Sequence, residues 1–242
     1  ITAHQGKRIV SRSEESVLRE VEAVTAMPDF KGYVSDIGGP SANMYRMKGG
    51  DEALCAKCLR PSCVYPAICG NLVYDHAPLI ELYRKSEKVK GVKKIFISSG
   101  VRYDLLLCGD AAKRKRFACD EYTKKLIEDH VSGRLKVAPE HTSERVLKYM
   151  RKPPYDLFRK FRKIFDSISE RAGLVQQIVP YFISSHPGST PEDMAELAAE
   201  TAHDGFKLEQ VQDFTPTPMT LSSVIYYTGF DPYTGEKVYS AK

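Results

Sequence analysis

Short apolar runs, each ending in a Gly, Pro or polar turn, alternate along this chain with segments whose apolar residues recur at helical spacing. Apolar runs of this length are typical of buried strands, and their alternation with helical segments is typical of a parallel α/β fold. The pattern therefore predicts five strands that each lead into a turn. These strands, counted together with some of their turn residues, lie at 32–37, 94–100, 135–138, 177–183 and 208–214.

The most regular helical pattern covers residues 155–171, where Phe158, Phe161 and Phe165 recur on one face with Lys and Arg between them. An apolar stripe of this kind predicts an amphipathic helix packed on a core. Shorter stripes predict further helices. These lie at 12–26, 75–91 and 122–131, with another after residue 190.

Two of the predicted helices begin with capping signals. Residues 11–14 and 190–193 each place a hydroxyl three residues before a carboxylate, as in a capping box. Pro28 then forbids continuation of the first helix. Residues 109–116 are polar and predict an exposed loop, and the Pro- and Gly-rich stretch after Phe214 predicts an irregular tail.

Composition narrows the class of protein. The chain has 242 residues, 42% of them hydrophobic and 28% charged, so residues 1–242 are expected to form a single domain. No apolar run of about 18 residues and no signal-peptide pattern occurs, which predicts a cytoplasmic protein without a membrane partner. The net charge of +5 permits an anionic partner without requiring one. Because the chain begins with Ile1 rather than Met, it is expected to be a piece of a longer protein.

The turn after the first predicted strand is the strongest candidate for ligand contact. Gly38 and Gly39 have no Cβ, and Pro40 has no N–H. The backbone of such a turn can approach a ligand closely. A tight turn with no ligand is the alternative interpretation.

Four cysteines lie in an insertion at about 46–74, which lacks helical or strand periodicity. Cys55, Cys58, Cys63 and Cys69 have the spacing C-x2-C-x4-C-x5-C, with no secretory context to favour disulfides. Four thiolates suit tetrahedral zinc or an auxiliary iron-sulfur cluster, and the spacing does not distinguish the two. Free buried thiols are the alternative, and Cys55 is the least certain ligand.

Taken together, these turns resemble the radical SAM superfamily and, within it, the YgiQ-type proteins. The resemblance covers essentially the whole chain, and it implies a partial (β/α)6 TIM-like barrel. In that family the first strand leads into a C-x3-C-x2-C loop that holds a [4Fe-4S] cluster. The matching strings are 12–21, Asp36-Ile-Gly-Gly-Pro40, 58–69, Ser99-Gly-Val-Arg-Tyr-Asp104, Ala138-Pro-Glu-His-Thr142, Ser185-His-Pro-Gly188 and 214–218.

The resemblance implies that the cluster loop ends immediately before Ile1, so that the first barrel strand precedes this chain. A cluster held by three thiolates leaves one iron open for a ligand, and no string in this chain replaces those thiolates. The full-length parent is therefore expected to be the enzyme, and this chain alone is expected to be inactive.

The resemblance also assigns roles in binding S-adenosylmethionine. The Gly38-Gly39-Pro40 turn is similar to the Gly-Gly-Glu turn whose carbonyls receive the methionine ammonium, with Pro40 in place of Glu. Ser99 lies in the next matching turn. There Arg102 suits the methionine carboxylate and Asp104 suits the ribose hydroxyls, although an Arg102–Asp104 salt bridge explains the pair equally well.

Two later turns complete the expected cofactor site. Glu140 resembles the polar position that binds ribose, whereas His141 is interpreted as a capping or packing residue. The His186-Pro187-Gly188 turn resembles a Gly-Phe-Pro-Gly turn, in which Gly188 allows close approach to adenine. His186 replaces an aromatic residue at a position near the substrate, and a hydrogen-bonded structural histidine is the alternative.

The leading hypothesis is thus a radical SAM iron-sulfur enzyme that generates a 5′-deoxyadenosyl radical on an unidentified substrate, using an electron donor. The alternatives are methylthiotransferase-like modification of RNA or protein, and a non-catalytic metal-stabilised binding module. The basic run Lys113–Arg116 suits RNA phosphates, but a solvated charge run is the default interpretation, so a nucleic-acid partner is not supported.

Overall fold

Strands and helices alternate through the chain in a mixed α/β arrangement. A computed structural model describes residues 9–37, 41–208 and 210–241. Contacts within the chain define two compact units. The first comprises the described residues of Lys7–Leu135 and Phe161–Ile178, and the second comprises those of Lys136–Lys160 and Val179–Lys242.

The first unit contains a parallel strand pair. Strand β1 (Tyr33–Ser35) lies beside β4 (Lys94–Phe96), with Val34 opposite Ile95. Helix α1 (Glu14–Thr25) precedes β1, and helix α3 (Ala77–Glu87) precedes β4. Parallel strands need a crossover connection, and the long segment between β1 and β4 supplies it.

That crossover includes the cysteine-rich insertion, which has more secondary structure than the sequence predicts. It contains strand β2 (Lys48–Gly49), helix α2 (Glu52–Ala56) and strand β3 (Leu72–Val73), and β2 pairs antiparallel with β3. Elements this short show no periodicity. Asp51 caps α2 by accepting hydrogen bonds from the backbone N–H groups of Ala53 and Leu54.

Helix α4 (Tyr103–Leu106) follows the turn after β4, and α5 (Ala111–Arg116) and α6 (Cys119–Lys125) follow it. Helix α6 continues as one π-helical segment, Leu126–His130. The segment 109–116 contains no buried residue, in keeping with the predicted exposure, but 111–116 are helical rather than a loop. Asp110 caps α5 by accepting from the Lys113 N–H at 2.8 Å.

The second unit is built on a three-stranded sheet. The strands are ordered β5 (Arg134–Glu140), β6 (Gln177–Ser184) and β7 (Gln210–Asp213), and β6 and β7 run parallel. Helix α7 (Glu144–Met150) follows β5, and α9 (Pro191–His203) follows β6. Helix α8 (Tyr155–Arg171) has residues in both units.

The ends of the helices test the capping predictions. The box at 190–193 is confirmed: Thr190 and Asp193 each accept from the other's backbone N–H. The first helix instead uses Ser13 as its N-cap, while Ser11 accepts from the Arg46 N–H at 2.8 Å. The tail predicted to be irregular contains helix α10 (Leu221–Thr228), because Thr220 caps it.

In the part of the chain that the structure describes, the strands form small parallel sheets and one antiparallel pair, with no closed barrel. No helix within those residues is long and apolar enough to cross a membrane.

The first unit packs its core against the second half of α8. Phe161 and Phe165 are fully buried, and the ring of Phe161 stacks on that of Tyr103 with centroids 5.7 Å apart. Ile95 and Ile97 are also fully buried. The apolar stripe that predicts this helix is thus the face that packs on the core.

Truncating this face is expected to destabilise the protein. Phe165 is 0% exposed, so Phe165→Ala should lower the free energy of unfolding by about 3–5 kcal/mol. The neighbouring Ile164 is 36% exposed, and Ile164→Ala should cost roughly 1 kcal/mol or less. Urea unfolding midpoints measure both changes. Equal losses for the two variants would contradict the burial of this helix face.

Candidate functional site

Three residues other than glycine adopt left-handed backbone geometry at the ends of parallel strands. Asp36 (φ 63°) follows β1, Glu140 (φ 70°) ends β5 and Ser185 (φ 59°) follows β6. Gly100 (φ 80°) lies in the turn after β4. Left-handed geometry costs a residue with a Cβ on the order of 1–2 kcal/mol, so surrounding contacts must hold it in place. These strand ends are also where the sequence predicts ligand contacts.

In the first unit, the turns after β1 and β4 are joined by hydrogen bonds. We call residues 36–37 and 41–43, together with residues 98–104, the paired turns. The Asp36 N–H donates to the Phe96 carbonyl at 2.7 Å, and the Asp36 carboxylate accepts from both the backbone N–H and the hydroxyl of Ser98. On the far side, the Ala42 N–H donates to the Gly100 carbonyl at 2.9 Å. Each turn therefore fixes the other.

The predicted ligand-contacting residues Gly38, Gly39 and Pro40 lie outside the described residues, and their assignment stays a prediction. Their neighbours on both sides, Asp36 and Ala42, make the bonds that join the paired turns.

A buried amide holds the second of the paired turns. The Asn43 side chain accepts from the Arg102 N–H at 2.6 Å and donates to the Arg102 carbonyl at 3.2 Å. Its amide nitrogen also lies 3.1 Å from His76 Nε2. Since that nitrogen donates, Nε2 accepts, and the His76 Nδ1–H donates to the Phe117 carbonyl at 3.2 Å. Sequence reasoning missed both residues. Asn43 lies shortly after the predicted Gly38-Gly39-Pro40 turn, whereas His76 falls at the start of the helix predicted at 75–91.

Arg102 and Asp104 bind each other. Arg102 Nε donates to Asp104 Oδ1 at 2.9 Å, and a second guanidinium nitrogen donates to Oδ2. Both side chains are largely buried. The salt bridge that the sequence offered as an alternative is thus formed. Ser99, also predicted to contact the cofactor, is exposed in the bend between β4 and this pair.

In the second unit, Glu140 pairs with a lysine. Its carboxylate lies 2.7 Å from Lys152 Nζ, and Glu140 is largely buried. Since the Glu140 backbone is left-handed, both its main chain and its side chain are constrained. The carboxylate is thus an acceptor held close to a cation.

His141, the next residue, holds the turn that leads into α7. Its Nδ1 accepts from the backbone N–H groups of Thr142 and Ser143, both at 3.0 Å, and its Nε2 lies 3.3 Å from the Ser189 hydroxyl. Burial lowers the pKa of His141 to about 4. The ring is therefore neutral at pH 7 and acts as a hydrogen-bonded structural group.

His186 is also fully engaged. Its Nδ1 lies 2.8 Å from the Pro187 carbonyl, which only accepts, so Nδ1 carries the proton and Nε2 accepts from the Ser222 hydroxyl at 2.8 Å. The ring meets Phe214 edge to face. Burial lowers the pKa of His186 to about 4. This histidine joins the turn after β6 to the segment that carries α10.

Gly188 is required by a packing contact within the protein. A Cβ on this residue would lie 2.4 Å from Cδ2 of Tyr149, and its φ is +92°. Its N–H donates to the Tyr239 carbonyl at 2.7 Å. The Tyr149 ring therefore occupies the space that a side chain at position 188 would need.

The cysteine-rich insertion is held by hydrogen bonds. Asn71 accepts from the Asp51 N–H at 2.8 Å, and its amide nitrogen donates to the Asp51 carbonyl at 2.9 Å and to Cys55 Sγ at 3.2 Å. The Arg60 guanidinium donates to the Ala67 carbonyl. Asn71 and Arg60, which sequence reasoning missed, thus help to order the insertion.

The four predicted metal ligands lie in this one insertion. Burial raises the pKa of the Cys63 thiol, and the nearby thiols Cys69, Cys55 and Cys58 raise it further. Among the described residues, no three or more Cys, His, Asp or Glu side chains are grouped so as to hold a metal ion. The thiols in this arrangement do not match a preformed zinc or iron-sulfur ligand set, and the predicted metal stays a prediction.

Comparison with known proteins finds relatives that match the whole chain. It is 62% identical over 244 residues to a UPF0313 protein of Bacteroides thetaiotaomicron, covering 100% of this chain and 39% of that protein. A UPF0313 protein of Porphyromonas gingivalis is 61% identical over 241 residues, with 100% and 38% covered. One from Methanocella arvoryzae is 47% identical over 242 residues, with 100% and 39% covered. No family model matches the chain.

The chain thus spans about two fifths of the length of these curated relatives, as the coverage of 39% and 38% shows. Identity this high over the whole chain means that the paired turns and the cysteine-rich insertion lie within the aligned part of each relative.

Stability is expected to fall as the pH drops from about 6.5 to 4. His76, His141 and His186 each have a pKa of about 4 in the folded protein because of burial, against about 6.5 when unfolded. Between these values the unfolded chain binds more protons, so each histidine contributes stability above pH 6.5 that is lost toward pH 4. The loss is on the order of 3 kcal/mol per histidine.

Urea unfolding across this pH range measures the loss. His141→Asn keeps a side-chain acceptor near the start of α7 and should reduce the pH dependence. His203→Gln changes an exposed histidine and should leave it unchanged. A pH dependence unaffected by His141→Asn would show that this histidine is not held neutral by burial.

Gly188→Ala is expected to destabilise the second unit more than Gly205→Ala. Both glycines have positive φ, +92° and +74°, but a Cβ at Gly205 would meet no atom within 4 Å. Gly205→Ala should therefore cost only backbone strain, about 1 kcal/mol. Gly188→Ala adds overlap with Tyr149, for a total on the order of 2–4 kcal/mol. Thermal unfolding compares the variants, and equal losses would argue against the Tyr149 contact.

Proposed function

We propose that this chain is the S-adenosylmethionine-binding part of a cytoplasmic radical SAM iron-sulfur enzyme of the YgiQ type. We further propose that its α/β elements belong to a partial (β/α)6 barrel with the cysteine-rich insertion at about 46–74. The proposal is supported by the matching strings at the strand ends and by the parallel strand pairs that lead into those turns. The observation that carries it is the joining of the paired turns by Asp36, Ala42 and Asn43.

The paired turns supply two kinds of polar group for the methionine end of the cofactor. In our proposal the carbonyls of Gly38, Gly39 and Pro40 accept from the methionine ammonium, and Arg102 donates to the carboxylate. Arg102 carries a fixed positive charge and a planar set of donors that suits a carboxylate.

The Arg102–Asp104 ion pair must rearrange, or accept further bonds, when the cofactor binds in this way. Asp104 now accepts two bonds from Arg102, so the cofactor carboxylate and the ribose hydroxyls would exchange for, or add to, those bonds. Asn43 holds the Arg102 backbone at both its N–H and its carbonyl, which leaves the side chain as the part that adjusts. This division between a fixed main chain and a responsive ion pair suits a binding site.

In the second unit, Glu140 is the proposed acceptor for the ribose. Lys152 lies against its carboxylate, and the left-handed backbone fixes the direction in which the side chain leaves the main chain. His186 and Gly188 are proposed to shape the turn that faces adenine. His186 does so by holding the turn to Ser222, and Gly188 does so by admitting the Tyr149 ring. Neither assignment requires the histidine to exchange a proton.

When bound, the [4Fe-4S] cluster supplies the electron for reductive cleavage of S-adenosylmethionine. Its ligands are proposed to precede residue 1, so the active form is the full-length protein with an electron donor and a substrate of unidentified class. For the insertion, we retain zinc or an auxiliary cluster on Cys55, Cys58, Cys63 and Cys69 as a proposal. Elemental analysis of the purified protein tests it.

Uncoupling the Arg102–Asp104 pair should weaken cofactor binding. The double variant Arg102→Gln with Asp104→Asn keeps two hydrogen-bonding side chains of similar shape but removes both charges. The loss of one charge-assisted contact, about 1.5–3 kcal/mol, predicts a Kd for S-adenosylmethionine roughly 10- to 100-fold higher. Calorimetry on anaerobically reconstituted full-length protein measures it.

The matched control removes another ion pair of the first unit. Arg114→Gln with Asp120→Asn replaces a pair whose atoms lie 3.2 Å apart and should leave the Kd unchanged. Iron and sulfide content should equal wild type in all variants. An unchanged Kd in the Arg102 and Asp104 variant would refute these roles. A full-length protein that binds no cluster and cleaves no S-adenosylmethionine would instead favour a non-catalytic binding module.

A further inference from the structure

We propose that a groove beside helix α5 binds a phosphorylated small molecule through Lys113 and Arg116. The opposite side of this groove is the antiparallel strand pair β2–β3, which we call the hairpin. The cavity has a volume of about 590 Å³, within the roughly 300–1,000 Å³ range of small-molecule sites. Its hairpin side is Gly50 and residues 70–73, and its helix side is Ala112, Lys113, Arg116 and Phe117. All of these residues belong to the first unit.

The two cations are placed together by the helix. Lys113 and Arg116 are three residues apart on α5, so they share one face, which lines the groove. The ammonium of Lys113 lies 5.7 Å from the centroid of the Tyr74 ring, and the Arg116 guanidinium lies 5.4 Å from that of Phe117. Each positive charge thus lies near an aromatic ring, and of these two rings Phe117 lines the groove.

The Lys113 side chain passes close to the backbone of Gly109. A Cβ on Gly109 would lie 2.8 Å from Cδ of Lys113, and Gly109 has φ +76°. The glycine therefore leaves room for the stem of Lys113 beside the turn that precedes α5.

Neither cation is in an ion pair within the described ranges. Of the nearby carboxylates, Asp51 and Asp110 accept backbone N–H groups at the starts of α2 and α5, and Asp120 pairs with Arg114. Two cations on one wall of a cavity favour a ligand with a doubly charged phosphate.

The hairpin side fits the rest of such a ligand. A Cβ at Gly70 would meet no atom within 4 Å, so the backbone there is open to a ligand. The amide group of Asn71 forms hydrogen bonds with Asp51 and Cys55, and these bonds fix the hairpin. Leu72 and Phe117 add buried apolar surface to the wall. The groove therefore suits a phosphate monoester carried on an aromatic or apolar group, rather than a free ion.

A small molecule fits better than a nucleic acid. Binding a polynucleotide backbone needs a row of cations that follow successive phosphates. Here Arg114 is paired with Asp120 and donates to the Gly109 carbonyl, which leaves two cations in the groove.

Phenyl phosphate is the probe, because it carries a phosphate monoester on one aromatic ring and has no adenine. Calorimetry with the full-length protein at low salt should detect its binding, and phenol should bind at least about 10-fold more weakly. In Lys113→Gln with Arg116→Gln the Kd for phenyl phosphate should rise at least about 10-fold, since charge-assisted bonds are lost. Lys115→Gln with Lys124→Gln, which lowers the net charge equally outside the groove, should leave it within about twofold.

Three results would overturn the proposal. The first is no binding of phenyl phosphate, and the second is an equal Kd in the groove variant and the charge-matched control. The third concerns a 12-nucleotide RNA without terminal phosphates. If this RNA binds more tightly than phenyl phosphate, and its binding depends on Lys113 and Arg116, the ligand is a nucleic acid. Inorganic phosphate binding as tightly as phenyl phosphate would likewise reject the apolar part of the assignment.

Discussion

The hydrogen bonds from Asp36 to the turn after β4 are the constraint on which the candidate site depends. Strands β1 and β4 pair over three residues each, too few for the ladder alone to fix the turns that follow. Asp36 adopts left-handed geometry and places its carboxylate on Ser98. The strain in one residue is thus offset by bonds across two turns. Ala42 and Asn43 repeat the connection from the other side.

Buried histidines serve this structure as hydrogen-bonding joints. His76 accepts a hydrogen bond from Asn43, and His141 accepts from two N–H groups in the turn before α7. His186 joins the turn after β6 to Ser222 by a hydrogen bond. Because burial lowers each pKa to about 4, none of the three carries charge at neutral pH. Charge at the strand ends comes instead from the ion pairs Arg102–Asp104 and Glu140–Lys152. An ionic ligand at these turns would therefore meet these ion pairs rather than a charged histidine.

The cysteine-rich insertion carries two kinds of chemistry. Its helix α2 contains Cys55, whose Sγ accepts from the Asn71 amide. Its paired strands β2 and β3 lie across a cavity from the basic helix α5. Asn71 belongs to both regions, because its side chain bonds to Asp51 and Cys55 while it lines the groove. One residue therefore contacts a candidate metal ligand and the groove.

The sequence alone determined the features that depend on nearby residues. The stripe at 155–171 matches helix Tyr155–Arg171, and the box at 190–193 forms, because helical periodicity and capping act within one or two turns. Contacts between distant residues were decided by the tertiary structure. Asn43 meets Arg102 across 59 positions of sequence, and the Tyr149 ring fills the space beside Gly188. Which polar group is paired, and which glycine admits a ring, is set by the chain segments that folding brings together, and no local pattern encodes it.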